Sequence, residues 1–366
     1  MKILQVIGKL GSGGDTSAVM TIMNEIEKNI TNIKFDFLTH EGCDLNTVQK
    51  LRENGHNVFI LKGDVRKLGP IKYYFQVKKL LRENKYDVIH THTSMQSGII
   101  LYAAKKCHIK KRICHSHVTN IQRKANIIKK IIAIPIFRFL IKKYSNIRVA
   151  CSPEAGRFLF KKQPFIVLYN GIDIDRFYNV DTNVVEKKRR EYHIKDDEII
   201  VGQIGTFFDM KNQQFTLEIA RIAKMKNMKI IFILIGSGSN LDSLKKQAEK
   251  ENLPVKFLGK KDNIEIYMKM FDVLIMPSLK GEGLPMTLIE AQVTGCKCIK
   301  SNFITEEADM KIDLCDTIKL EDNPEEWLDG IIKIYSKNTK KVPIECLYKS
   351  KFNKENSVKA WKNIYC

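Results

Sequence analysis

Short apolar runs of strand length alternate with helical-period segments from one end of the chain to the other. Strand candidates lie at 2–7, 33–38, 57–61, 86–91, 111–116, 147–151 and 165–169, then at 199–205, 229–235, 255–258, 272–276 and 296–301. Amphipathic stretches such as 16–28, 71–84, 94–106, 212–226 and 240–251 separate them. Strand–helix alternation demands parallel sheets covered on both faces. At 366 residues the chain is longer than one core usually supports. The pattern breaks after Asn170-Gly171-Ile172-Asp173, where the charged segment 181–198 precedes a fresh strand. The expected class is therefore α/β, with two Rossmann-like, doubly wound parallel-sheet domains. Ligands of such sheets bind beyond the carboxyl ends of the strands, so the expected site is a cleft between the two domains.

The apolar run at the N-terminus is too short for a signal-peptide core, and no stretch is long and uncharged enough to span a bilayer. Nine cysteines include no CxxC pair, and Cys296 and Cys298 fall in an apolar strand, which predicts reduced, buried thiols in a cytoplasmic protein. The net charge of +21 is uneven. Residues 1–175 carry 30 basic against 13 acidic side chains, or +17, and 176–366 carry 32 against 28, or +4. Within 100–165 there are 16 basic residues and one acid, Glu154. Such a field favours a polyanionic partner: nucleic acid, anionic lipid or a pyrophosphate-bearing acceptor.

Several loops after predicted strands carry chemistry. Gly8-Lys9-Leu10-Gly11-Ser12-Gly13-Gly14-Asp15 follows the first strand and opens a helix, a place where backbone amides approach anions or where the chain simply turns tightly. His90, His92, His115 and His117 form two i, i+2 pairs at the ends of adjacent strands, each pair on one sheet face. No Cys, Asp or Glu completes a metal set, so neutral imidazoles bonding a sugar or phosphate are expected there. Lys211 follows the strand and loop containing Gly205 and Thr206, where a cation suits a diphosphate. Gly236 and Gly238 form a further turn. The most specific run is Gly281-Glu282-Gly283-Leu284-Pro285-Met286-Thr287-Leu288-Ile289-Glu290. Its glutamates are eight positions apart, one in a glycine-flanked loop and one inside an apolar helix, and eight positions is just over two turns, so both face the same direction if the helix starts near Leu284. A carboxylate on an otherwise apolar face is costly unless paired or bound, and vicinal ribose hydroxyls would satisfy it.

This ordered set resembles glycosyltransferase family 4, of the GT-B fold, over nearly the whole chain. The run from Glu282 to Glu290 is similar to the family's Glu-x7-Glu signature. Gly295 to Ser301, Thr305 and Glu307 resemble the branch that builds bacterial capsule or exopolysaccharide. The resemblance implies an acceptor domain over 1–173, with a helix over 353–366 crossing back to it, and a nucleotide-sugar domain over 195–350. It implies retention of anomeric configuration with no metal or other cofactor. Glu290 would take the donor ribose, Glu282 the donor sugar or its phosphate side, and Lys211 the diphosphate. His117 would lie close to the donor sugar. Gly13, Gly14, Gly236, Gly283 and Leu284 would line the donor, and Leu258 would contact its base through the main chain. The family usually has an arginine where this chain has Thr206, replacing a charged fork with one neutral hydroxyl. Slow turnover, recruitment of another cation, or lost activity would each follow.

The segment 123–148 sets lysine pairs around an apolar core containing Phe137 and Phe139, with Pro135 expected to kink or divide its helix. It suits either an anionic membrane interface or packing on the sheet. The expected activity is transfer of a hexose-type sugar from a nucleotide-diphosphate sugar, with UDP favoured, to a lipid-linked or saccharide acceptor at the inner face of the plasma membrane. A catalytically impaired binding subunit and a sugar-nucleotide epimerase are the alternatives. Nucleic acid is not an expected partner, since aromatics are not interleaved with the basic clusters.

Overall fold

Strand β1 (Lys2–Val6) and the strands on either side of it set the frame of the first half. In the computed structural model, which describes residues 1–11, 14–30, 32–120, 127–280, 282–321 and 323–366, the chain forms two units: 1–171 with 354–366, and 172–353. Among the described residues the first unit has β1, β2 (Lys34–His40), β3 (Val58–Leu61), β4 (Val88–Thr91), β5 (Lys111–Ser116), β6 (Ile147–Ala150) and β7 (Ile166–Val167) in one parallel sheet, ordered β3-β2-β1-β4-β5-β6-β7. The second has β8 (Ile199–Ile204), β9 (Ile230–Ile235), β10 (Val255–Gly259), β11 (Val273–Met276), β12 (Lys297–Ser301) and β13 (Cys315–Ile318), ordered β10-β9-β8-β11-β12-β13 and again parallel. Each order reverses once, between β1 and β4 and between β8 and β11, and such switch points open a crevice at the carboxyl edge.

The central strands read as continuous apolar runs because both faces are covered. Every residue of β9 is buried. In the second core Phe232, Leu234 and Ile275 pack with Trp327, Leu328 and Ile331 of the helix Pro324–Ser336. Strand β13 is the one that sequence pattern misses, being short, with two polar residues in four, at the sheet edge. Cys296 and Cys298 are buried free thiols.

The helix Lys354–Tyr365 belongs to the first unit, where Trp361 and Tyr365 are each 1% exposed in its core. Ile172 N–H donates to Phe352 O at 2.8 Å, so the outgoing and returning chain segments run side by side. The helix Ile127–Tyr144 runs through Pro135 without a break, so the proline does not divide it. Packing holds it: a Cβ on Gly98 would lie 2.8 Å from Phe137 O, so the neighbouring helix Ser97–Lys106 presses directly on its backbone. Residues 123–126 of the basic segment lie outside the described residues. Among those described, no helix is long and apolar enough to cross a membrane.

The Tyr365 hydroxyl accepts from Gln5 Nε2 and shares a hydrogen bond with His90 Nδ1, both at 2.8 Å, and ties the last helix to β1 and β4. Tyr365→Phe strands both buried partners. It is expected to destabilise the first unit by on the order of 1–3 kcal/mol. Urea unfolding followed by circular dichroism checks this; an unchanged midpoint would remove the hydroxyl from the account.

Candidate active site

The carboxyl edge of the second sheet gathers four loops. The loops after β8 and β9 are nested. Phe207 N–H donates to Ser237 O at 2.9 Å, and Asn240 Nδ2 to Asp209 Oδ1 at 2.8 Å. Glycine makes this possible. A Cβ on Gly236, whose φ is +143°, would sit 1.9 Å from Gly205 O. Gly236 N–H donates to Gly259 O at 3.0 Å, which brings in the end of β10 beside the half-buried Leu258. Gly236 is thus required by backbone packing, whatever ligand lies above it.

Lys211 ends a 3₁₀ turn, Asp209–Lys211, and Asn212 in the left-handed region separates it from the helix Gln213–Met225. A buried network fixes this turn. Gln203 on β8 donates from Nε2 to Lys211 O at 2.7 Å and accepts from Thr216 Oγ1 at 2.7 Å. The Lys211 stem crosses Gly205, where an added Cβ would be 3.2 Å from Cε. Across the switch point, Leu279 N–H after β11 donates to Met210 O at 2.8 Å. The two loops then meet through charge. Lys211 Nζ lies 2.7 Å from Glu282 Oε1, with side chains only 16% and 6% exposed. Ser278 Oγ donates to the same Glu282 oxygen at 2.7 Å. Removing one partner of such a pair typically costs 3–5 kcal/mol, because the other is left buried and uncompensated.

Glu290 lies on the helix Met286–Val293, whose other residues are buried apart from Thr287, three positions away and half-buried like Glu290 itself. Its carboxylate has no hydrogen-bond or ion-pair partner among the described residues. Burial pushes it up to about 7, opposed by Arg176 and reinforced by Glu265. Arg176 itself pairs with Glu265 at 2.7 Å. The expected helix start near Leu284 is corrected by two residues, and Glu282 lies, as expected, in the loop before the helix. The helix begins at Met286, after Pro285, so Glu282 is aimed by its loop partners. Gly283 and Leu284 are buried in that loop, and Thr206 is half-exposed, its carbonyl accepting from Gln213 Nε2 at 3.2 Å. Pairing between Lys211 and Glu282, 71 positions apart, and the proximity of Arg176 to Glu290 leave no local sequence signal. Ser278 carries a weak one, its place directly after β11.

In the first unit Gly14 opens the helix Gly14–Asn29, so its amide is among those left free of intrahelical bonds. Gly13 lies outside the described residues. His117 is 9% exposed, with Nε2 2.8 Å from His92 Nδ1. His90 and His115 are fully buried and stack at 5.3 Å and 14°, beside Trp361. Burial holds His90, His92 and His115 well below the usual imidazole range. The expectation that all four imidazoles face a ligand is therefore corrected for His90 and His115, which the returning helix covers. Ring nitrogens of His90, His92 and His115 come within 4.8 Å of one another, a spacing that could hold a metal ion. The planes of His90 and His115, however, are only 14° apart, which sends the in-plane lone pairs of those two rings along near-parallel planes instead of toward one centre. At the switch point of this sheet a cavity of about 360 Å³ is lined by Gly8, His40, Asp64, Arg66 and Thr93, among others. Although burial pushes the Asp64 carboxyl up, hydrogen bonds from Arg66 and Gln96 bring it well below the usual carboxylate range. Paired donors and acceptors of both signs suit a hydroxyl-rich ligand.

Residues 33–176 match the family model described as Glycosyltransferase Family 4, and residues 184–345 match that described as Glycosyl transferases group 1. The chain is 29% identical to Bacillus subtilis EpsF, over 100% of this chain and 96% of that protein. It is 24% identical to the Escherichia coli UDP-Gal:alpha-D-GlcNAc-diphosphoundecaprenol alpha-1,3-galactosyltransferase, over 78% of each. The crystal structure of Anabaena HepE with UDP-glucose superposes with a TM-score of 0.76, covering 99% of this chain and 98% of that one at 17% identity, a likeness of fold.

A carboxyl raised in the folded state binds a proton that the unfolded chain has released. Stability at Glu290 should therefore fall as pH rises from about 4.5 to 7 and stay low above. Glu290→Gln is expected to flatten this decline and raise stability at about pH 8 by up to 2–3 kcal/mol, less as solvent screens the partly exposed group. Thermal melts of both proteins between about pH 5 and pH 8 check this; parallel curves would contradict it.

Proposed function

Because this chain belongs to glycosyltransferase family 4, we propose that it transfers a sugar from a UDP-sugar, with retention and without a metal ion, to a lipid-linked or saccharide acceptor in cell-surface polysaccharide synthesis. One observation carries the reading: Lys211 and Glu282 are held 2.7 Å apart where β8 and β11 diverge, beside a helix that presents the unpartnered Glu290. A nucleotide diphosphate has complementary groups for each. The ribose hydroxyls donate to Glu290, the diphosphate takes the Lys211 ammonium, and Glu282 receives sugar hydroxyls as the lysine turns to phosphate. When the bond from the anomeric carbon to the phosphate oxygen breaks, negative charge grows on the diphosphate. Lys211 neutralises it, the task a metal ion performs elsewhere.

Support for a lipid-linked acceptor comes from the name of the Escherichia coli relative, whose acceptor is a diphosphoundecaprenol. Support for work at a membrane comes from the helix Ile127–Tyr144, which exposes Ile132, Ile136 and Phe139 with Lys142 and Lys143 near its end. The mixed-charge cavity beside Gly8 and Asp64 is the natural place for acceptor hydroxyls.

Two measurements test the proposal. Glu290 must be ionised to accept from both ribose hydroxyls, so UDP affinity is expected to rise as pH passes through about 7, and this added rise should vanish in Glu290→Gln. Isothermal titration at several pH values checks it, and identical pH profiles would remove Glu290 from the ribose site. Thr206→Arg restores a charged fork beside the diphosphate and is expected to raise donor turnover roughly ten- to a hundredfold, from 1–3 kcal/mol of added stabilisation. Tight UDP binding with no turnover in either protein, with acceptors supplied, would instead identify a binding subunit. Donor conversion without acceptor would identify an epimerase.

A further inference from the structure

The helix Ile127–Tyr144, β6 and the turn after the helix Pro153–Phe160 enclose a second cavity in the first unit, of about 370 Å³. Its chemistry differs from that of the cavity beside Gly8. The floor is apolar, with Ile141, Leu159 and Phe160 at most 4% exposed. The rim carries Arg138, Lys142, Arg148, Lys161 and Lys162, and no carboxylate is among the residues that line it. Beside Gly8, by contrast, Asp64 and Glu41 pair with Arg66 and Lys67.

Both guanidinium groups of the rim are positioned by backbone carbonyls. Arg138 donates to Phe158 O and Arg148 to Lys142 O, each at 2.9 Å. Carbonyls orient a cation without neutralising it. The Nε–H groups of both arginines are also buried without a hydrogen-bond partner. Five positive charges therefore surround an apolar floor. A free phosphate would use the rim and waste the floor, and a neutral hydrocarbon would do the reverse. The mouth extends the pattern. Phe139 lines the cavity yet is 57% exposed, and Ile136 and Ile132, at 51% and 60%, continue from it at helical spacing along the same face.

We propose that this cavity seats the phosphate headgroup of one anionic membrane phospholipid, with Ile132, Ile136 and Phe139 lying against its acyl chains. The proposal rests on the reading that the chain works on membrane-borne acceptors, and it narrows a diffuse basic surface to one seat that includes Arg148, Lys161 and Lys162. Orientation of the enzyme on the bilayer would then be fixed by a bound lipid as well as by net charge.

The test uses the full chain and phosphatidylcholine vesicles with or without phosphatidylglycerol. The double variant Lys161→Gln, Lys162→Gln removes two exposed rim charges. Lys105→Gln, Lys106→Gln removes two exposed charges from the end of the helix Ser97–Lys106 and serves as the matched control. Flotation is expected to show phosphatidylglycerol-dependent binding that falls on the order of tenfold or more in the first variant and about twofold in the control. Equal losses in both would overturn the seat in favour of diffuse attraction. Short-chain phosphatidylglycerol below its micelle concentration is expected to titrate to one per chain and to resist inorganic phosphate. Full displacement by phosphate, or tighter binding of farnesyl diphosphate, would overturn the assignment. Donor turnover with a soluble acceptor is measured beside it. Turnover without lipid binding sinks the lipid seat alone, whereas lipid binding without turnover supports the seat and sinks only the catalytic reading.

Discussion

The second unit is organised around one ion pair that bridges a topological switch point. Strands β8 and β11 are neighbours in the sheet, but their chains leave in opposite directions, so the loops after them would part if nothing joined them. Lys211 and Glu282 join them, each held by further polar groups: Gln203 to the lysine's carbonyl and Ser278 to the glutamate's carboxylate. In so enclosed a place, either charge alone would be destabilising. The pair therefore specifies loop geometry as much as it supplies charge, and Gly205 and Gly236 leave the room that this geometry needs.

Much of the architecture was legible because a parallel sheet covered on both faces leaves an unusually plain signature. Its strands are apolar throughout and its helices are amphipathic, so β9 stands out between the helices Gln213–Met225 and Leu241–Lys250. Strand β13 escaped because an edge strand need bury only part of itself. In the candidate site, Lys211, Glu282 and Glu290 were marked by residue type and by position after strands. What linked them was not, since a contact across 71 positions is decided by strand order, and strand order is not written in local periodicity. The helix starts two residues later than expected, so the direction of Glu282 is decided by its loop contacts and not by helix periodicity.

The histidines show the opposite failure. Four imidazoles at the ends of two adjacent strands looked like a ligand-facing set, and the i, i+2 spacing was right about the shared face. It could not tell that the last helix of the chain, some 250 residues later, returns to cover that face with Trp361 and Tyr365. Once covered, the rings stack and stay neutral because burial penalises the charged form, and the depressed affinity for protons follows.

Taken with the proposed function, the charges of the donor site imply how binding energy is divided between ground and transition states. With its ligand absent the site is close to neutral: Lys211 is matched by Glu282, and burial keeps Glu290 partly protonated at neutral pH. A diphosphate must compete with Glu282 for the ammonium, so its ground state gains only the difference between two ion pairs. As the sugar–phosphate bond lengthens, charge grows on the phosphate and none on Glu282. The competition then shifts toward the leaving group at the moment of reaction, and the lysine contributes most where it lowers the barrier. An unpaired arginine in place of Thr206 would have no such rival, and its stabilisation would likewise grow as charge develops on the leaving diphosphate. Under the proposed function, the Lys211–Glu282 pair is thus a device by which stabilisation is reserved for catalysis.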